Sequence, residues 1–402
     1  MKIISFINIS NENDIECDSG YIFQRIIAEE LYKRGHEYHL VGANSISLKN
    51  IEECFLKKHY ISWGTNKYSS RYNFNFEEIK HLITRINPDI IFNCQIELTS
   101  AIRSVLELMK IKRIPIISYC HYPALWDESI KRSKAPLIDM SLNNGGVGYS
   151  IMFNILTAVI TANKVLIQSH YARNLLENAI SFYKIPYKHR IEILPPPIDT
   201  LLFDNKNHYN SNIHYTSFLY NHRLYNSYGT EEFLKTSQKI IQKYKLKSVV
   251  FDSMPNRSSE RTILNGSPEY YKTIILSRPN TLLFNGHVSR KVYKSNILNN
   301  LFAMGAFRKT CVWSMAALDC MCLGVPVIAP NYASYPEFIP KQLLFSNEVD
   351  MLQVVNKLVY DTAFRKDSSY KCYTEAKKYE VSKICDKLLK IFEKEKEKAC
   401  VE

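Results

Sequence analysis

No apolar run in these 402 residues reaches the roughly 20 that a membrane-spanning helix requires; the longest candidate, SIMFNILTAVITA from Ser150 to Ala162, reads as a buried helix. The opening MKIISFINIS has neither the apolar h-region nor the cleavage site of a signal peptide and reads as a strand, so the expected location is the cytoplasm, whether of a bacterium or of a phage-infected host cell. Among the ten cysteines only Cys320 and Cys322 lie close together, without the second pair or nearby histidines of a zinc site, and reduced, mostly buried thiols are expected. No Walker A motif occurs, and NGGVGY at Asn144 to Tyr149 lacks the spacing and the preceding strand of a dinucleotide fingerprint. Low-complexity tracts and short repeats are absent too.

What is present fits a globular protein of two to three domains: 46% of the residues are hydrophobic and 23% charged. The formal charge is +13, unevenly placed, with 23 Lys+Arg against 20 Asp+Glu through Asp199 and 29 against 19 thereafter. Such an excess suits an anionic partner, a nucleotide, nucleic acid or acidic membrane, and equally a lysine-rich solubilising surface.

Strand and helix patterns alternate from the first residue. MKIISFINI, YHLVGA, DIIFNC, PIISYCH and KVLIQSH read as strands, and GYIFQRIIAEELYKRGHE, NFEEIKHLITRI and ELTSAIRSVLELMKI as helices. The polar stretch Asp199 to Thr216 lacks periodicity and marks a linker over 201–216, between domains at 1–200 and 217–370. A second alternating unit follows: SFLYNHR, SVVFDSM, TLLFNGHVS and VPVIAP as strands, and TEEFLKTSQKIIQKY as a helix. Residues 371–402 carry a final amphipathic helix that can return to the first domain. Alternation of this kind means an α/β fold with parallel sheets covered on both faces.

In such sheets ligands bind at the carboxyl ends of strands. Gly20 stands just before a helix, where a backbone can approach a ligand or simply turn. In YNHRLYNSYGTEEF, a strand ends at Arg223 and Gly229 precedes a helix; the guanidinium can meet a diphosphate or lie at the surface beside a helix capped by Thr230. In CVWSMAALDCMCLGVPVIAP, Ser314, Met315 and Ala316 open a helix of small residues whose amides suit phosphate, and Asp319 suits a ribose diol or is a helix surface charge. His121 follows a buried strand, with Asp127 and Glu128 close in sequence, and is either structural or a group for sugar binding or proton transfer.

The order GHVS, CVWSMAALDCMCLGVPVIAP, YPEFI, together with RGHE, KVLIQSHYARNLL and ILPPPID, resembles glycosyltransferase family 4. The resemblance implies a GT-B fold, two Rossmann-like domains facing across a cleft, and transfer of a sugar from a UDP- or GDP-sugar with retained anomeric configuration, no cofactor and no metal. It implies that Arg223 binds the diphosphate, Asp319 the ribose and the Val288 backbone the base. Gly20 and the amides of Ser314, Met315 and Ala316 would also lie against the donor. His121 would approach the sugar as the domains close. Two positions depart from the pattern: Tyr228 stands where the family has lysine, and Cys311, close to the sugar, where it has glutamate. Arg290 or Lys291 could rebuild the phosphate clamp.

NHR and YPEFIP look more like nucleic-acid-modifying relatives, such as tRNA-queuosine mannosyltransferases and phage DNA glycosyltransferases. On that resemblance the expected acceptor is a hydroxymethylated base in DNA, extruded into the site. The alternatives are an envelope polysaccharide or lipopolysaccharide glycosyltransferase meeting an anionic membrane surface, and a degenerate GT-B protein that binds nucleic acid without catalysis.

Overall fold

The computed structural model describes residues 1–7, 18–43, 53–62, 75–111, 113–123, 125–126, 137–138, 147–187, 191–252, 268–286 and 288–401. The chain divides into two compact units, 1–197 with 381–402, and 198–380.

In the first unit the elements are β1 (Lys2–Phe6), α1 (Ser19–Lys33), β2 (Glu37–Ala43), β3 (Leu56–Ile61), α2 (Phe76–Ile86), β4 (Ile90–Asn93), α3 (Thr99–Leu108) and β5 (Ile116–Cys120). A short antiparallel pair, β6 (Leu125–Trp126) and β7 (Leu137–Ile138), is followed by α4 (Val147–Thr161), β8 (Lys164–Ile167), α5 (His170–Phe182) and β9 (Glu192–Ile193). Seven strands form a parallel sheet in the order β3-β2-β1-β4-β5-β8-β9.

The two-residue period of a strand divides its side chains between the sheet faces. Ile3 joins Phe23, Ile27, Leu31 and Tyr38 on one face, while Ile4 and Phe6 join Ile79, Leu82, Ile83 and Ile102 on the other. The C-terminal helix, Val381–Val401, completes the first of these cores with Ile384, Leu388 and Phe392, the last with its ring 5.4 Å from that of Phe92. Arg34 pairs with Asp386 at 2.5 Å on the same seam. Among the described residues no helix is long and apolar enough to cross a membrane. Helix α4 buries Ile151, Met152, Ile155, Leu156 and Val159 but exposes Tyr149, Phe153 and Ile160, so the stretch expected to be buried is buried on one face only.

The second unit contains β10 (Ser217–Tyr220), α6 (Thr230–Tyr244), β11 (Lys247–Asp252), α7 (Pro268–Leu276), β12 (Thr281–Asn285), α8 (Arg290–Leu298), β13 (Ala303–Met304), α9 (Met315–Cys322), β14 (Val327–Pro330), β15 (Leu344–Phe345), α10 (Glu348–Tyr360) and α11 (Thr362–Ala376). Its six strands are parallel in the order β12-β11-β10-β13-β14-β15. The turn from α9 into β14 needs Gly324: its φ is +81°, and a Cβ there would collide with the Asn207 side chain.

Residues 201–216, expected as a linker, lie within this unit. Leu202, Tyr209 and Tyr215 belong to its core, and the Tyr209 hydroxyl donates to the Leu301 carbonyl at 2.8 Å. Residues 371–380, expected with the terminal helix, are also part of it and contribute Cys372, Ala376 and Tyr379 to the core. Both segments lack a clean apolar period because each anchors through a few scattered side chains.

Candidate functional site

Strand order reverses at one place in each sheet: connections run outward from β1 through β2 to β3 and then restart at β4, and outward from β10 to β12 and then restart at β13. Loops leaving adjacent strands in opposite directions open a crevice at their carboxyl ends, and this is where parallel sheets receive ligands.

In the second unit the two loops are Asn221–Gly229 and Gly305–Ser314. The first loop packs against β13: the buried His222 hydrogen-bonds the Met304 backbone, and burial lowers its pKa to about 4, leaving the imidazole neutral at physiological pH. Gly229 has φ +66°, and a Cβ there would lie 2.5 Å from Phe307 Cβ and 2.8 Å from Phe307 O. Glycine therefore lets the start of α6 rest on the backbone of the β13 loop. The Thr230 hydroxyl donates to the Tyr225 carbonyl at 2.7 Å, and Gly229 occupies the cap position. Glu231 and Glu232, both exposed, fill the first turn of α6. Their charge already complements the helix dipole, so this terminus is a poorer phosphate cradle than the sequence suggests.

Arg223 stands half-buried in the β10 loop. Beside it, Asn221 donates through Nδ2 to the Tyr293 hydroxyl at 2.9 Å and to the Ala316 carbonyl at 3.1 Å. The Tyr293 hydroxyl in turn donates to Asp319 Oδ2 at 3.3 Å. Asn221 Oδ1 is buried and has no hydrogen-bond partner among the described residues. Ser314 caps α9 by accepting from the Ala317 amide at 3.2 Å, and Met315 and Ala316, half-buried, form the first turn. Val288, after β12, packs half-buried on the core; its neighbour His287 lies outside the described residues.

Asp319 is buried rather than displayed on the helix surface. Burial pushes its pKa up to about 7, opposed by the Arg290 guanidinium and reinforced by Asp199. Arg290 Nε lies 3.1 Å from Asp199 Oδ2, and Asp199 is fully buried. One guanidinium thus serves two carboxylates, and a proton on Asp319 relieves the remaining charge. Arg290 is turned to this internal pair, and Lys291 is exposed.

A different cation stands against Tyr228. The Arg308 guanidinium lies 4.7 Å from the centre of the Tyr228 ring, and its Nε donates to Thr310 Oγ1 at 3.1 Å. Cys311 is buried, which raises its thiol pKa, with Tyr335 and Arg308 pulling the other way. No sequence signal marks Arg308, because its place depends on β10 and β13 being neighbours.

In the first unit, Gly20 lies inside α1 with its amide donating to Asp18 Oδ1 at 2.9 Å. The helix start is satisfied by its own carboxylate cap, which competes with any ligand anion there. His121 follows β5, its ring edge-on to Phe23 at 4.9 Å and to Tyr119 at 4.7 Å, while its carbonyl accepts from Gln168 Nε2. Asp127 and Glu128 lie outside the described residues. Of the nine described cysteines seven are buried, all are free, and among the described residues no group of His, Cys, Asp and Glu has the geometry of a metal site.

Residues 25–201 match the family described as Glycosyltransferase Family 4. The fold is GT-B, as in three similar solved structures. Sucrose-phosphate synthase from Thermosynechococcus elongatus has a TM-score of 0.70 at 13% identity, covering 98% of each chain. Alr3699/HepE from Anabaena, in complex with UDP-glucose, has a TM-score of 0.66 at 10% identity, covering 98% of this chain and 100% of that one. An alpha-glucosyltransferase in complex with UDP has a TM-score of 0.62 at 13% identity, covering 97% and 99%. A comparison with curated protein sequences finds no match. The family match and the shared fold support a glycosyltransferase of GT-B type.

Proposed function

We propose that the chain transfers a sugar from a UDP- or GDP-sugar to a hydroxyl acceptor, with the donor's nucleotide held at the β10/β13 crevice of the second unit. The observation that carries this reading is the buried polar group Asn221–Tyr293–Asp319 at the carboxyl end of β10, with the half-buried Arg223 two residues beyond Asn221 in the same loop. Arg223 offers planar, charge-assisted donors to the diphosphate. Asp319 Oδ1 and Oδ2, when ionised, accept from the two ribose hydroxyls, and Asn221 Oδ1 is a further acceptor beside them. Ser314, Met315 and Ala316 bring the first-turn amides of α9 to the phosphate side.

In the first unit His121 is the group we assign to the transferred sugar, its ring plane set by Phe23 and Tyr119. Retention of the donor's anomeric configuration and independence from metal belong to the same reading. For the acceptor, the net charge of +13 favours a polyanion, and a hydroxymethylated base in DNA is the acceptor we propose.

The test is mass spectrometry of nucleosides digested from hydroxymethylcytosine- or hydroxymethyluracil-containing DNA after incubation with a panel of nucleotide-sugars, with unmodified DNA as control. A gain of one hexose or pentose mass on the hydroxymethyl base is the expected result. Transfer to a lipid-linked glycan instead keeps the donor half of the proposal and overturns the acceptor. Absence of donor turnover or binding overturns both.

A further inference from the structure

We infer that Arg308 is a second diphosphate-binding cation of this site, held in place by the ring of Tyr228 and the hydroxyl of Thr310. The inference rests on the donor reading above and adds a residue that neither the sequence pattern nor the resemblance designates.

Arg223 and Arg308 lie on the two loops that define one crevice. β10 and β13 are hydrogen-bonded neighbours through Leu219 and Ala303, and each loop leaves the carboxyl end of its strand. The loops are locked together at Gly229, which admits the Phe307 backbone where no other residue would, and His222 of the first loop bonds Met304 of β13. Arg308 follows Phe307 directly, so this contact brings its backbone to the start of α6. The side chain then lies against the Tyr228 ring at 4.7 Å, and its Nε–H points to Thr310.

A guanidinium stacked on one face and bonded through Nε is restricted to one plane, which reduces the rotamer entropy lost when it grips an anion. The position also calls for a cation. Two glutamates open α6, and Tyr228 and Cys311 bring no positive charge to the crevice. Arg290, the other nearby guanidinium, is committed to Asp199. With Arg223 alone, a nucleoside diphosphate's two to three negative charges would meet one cation and two carboxylates; Arg308 offsets that balance. Its influence reaches Cys311, whose thiol it favours in the charged form, so its charge is felt where the sugar-proximal side chains begin.

The test is isothermal titration of UDP, GDP and the corresponding monophosphates into the wild-type chain, Arg308→Ala and Arg308→Lys, with thermal melting to confirm folding. Whichever diphosphate the wild type binds should bind Arg308→Ala about 10- to 100-fold more weakly. The monophosphate should weaken less, and Arg308→Lys should recover part of the loss. A purely structural role would lower Tm and weaken both nucleotides alike. If the wild type binds a diphosphate and Arg308→Ala, melting normally, binds it equally well, Arg308 is not part of the site while the donor reading stands. If the wild type binds neither diphosphate, the donor reading fails and this inference with it.

Discussion

The two units reverse strand order in the same way, yet they furnish the place of reversal differently. At β10/β13 two loops that carry Asn221, Arg223 and Arg308 interlock through Gly229, and Asn221 is tied through Tyr293 to Asp319 of α9. At β1/β4 the described residues show Gly20 engaged by the Asp18 cap, and the neighbouring β5 ends in His121 among aromatic rings. Topology creates a receptive edge in both; on the reading proposed above, the side chains of one suit a diphosphate and a ribose, and His121 of the other suits a sugar.

The difference can be broken most forcefully at the glycines. Gly229→Ala combines a left-handed backbone with a Cβ 2.5 Å from Phe307, and should destabilise the protein by about 2–4 kcal/mol in chemical denaturation. Next in size is Arg223→Ala, expected to reduce diphosphate affinity about 10- to 100-fold without changing Tm by more than a few degrees.

Asp319 sharpens the contrast through pH. Its folded pKa, about 7, lies above that of an unfolded aspartate, so the folded state binds the extra proton and wild-type stability falls as pH rises from about 4 through 7. Asp319→Asn should remove that fall and be the more stable form at pH 8.5, by about 1–3 kcal/mol, with little difference at pH 4, as denaturation at the two pH values would show. In binding the sign reverses: if, as proposed, ionised Asp319 accepts from the ribose diol, nucleotide affinity should increase between pH 6 and 8 in the wild type more steeply than in Asp319→Asn. The smallest effect belongs to Gly20→Ala. Gly20 is helical and its Cβ would lie 3.1 Å from Asp18 Oδ1, so helix propensity offsets the contact and stability should change by about 1 kcal/mol or less.

Strands and helices with a strong period were legible in the sequence: TEEFLKTSQKIIQKY spans the bounds of α6, and β1, β4, β5, β8, β10, β12 and β14 fall within their apolar runs, whereas the central β13, only two residues long, was not legible. The edge strand β3 was not, because LKKHYI buries only Leu56 and Ile61 and shows no alternation. Helix α11 escaped for a similar reason, since Arg365, Ser368 and Ser369 are among its buried residues. The polar stretch from Asp199 looked like a linker because the partners that order it come from far along the chain, Arg290 for Asp199 and the Leu301 carbonyl for Tyr209. Arg223 and Asp319 stood out as candidates at the ends of their strand and helix patterns, with their roles supplied by the family resemblance rather than by local pattern. Arg308 did not, since its meeting with Tyr228 follows from strand order, which no local pattern encodes.

The most direct measurement is titration of UDP and GDP into the wild type, Arg223→Ala and His121→Ala. If the second unit's crevice holds the donor's diphosphate, Arg223→Ala loses about 10- to 100-fold in affinity, while His121→Ala, a residue assigned to the sugar, binds the sugar-free nucleotide as the wild type does. Equal binding by Arg223→Ala and the wild type, or a loss confined to His121→Ala, would contradict the account.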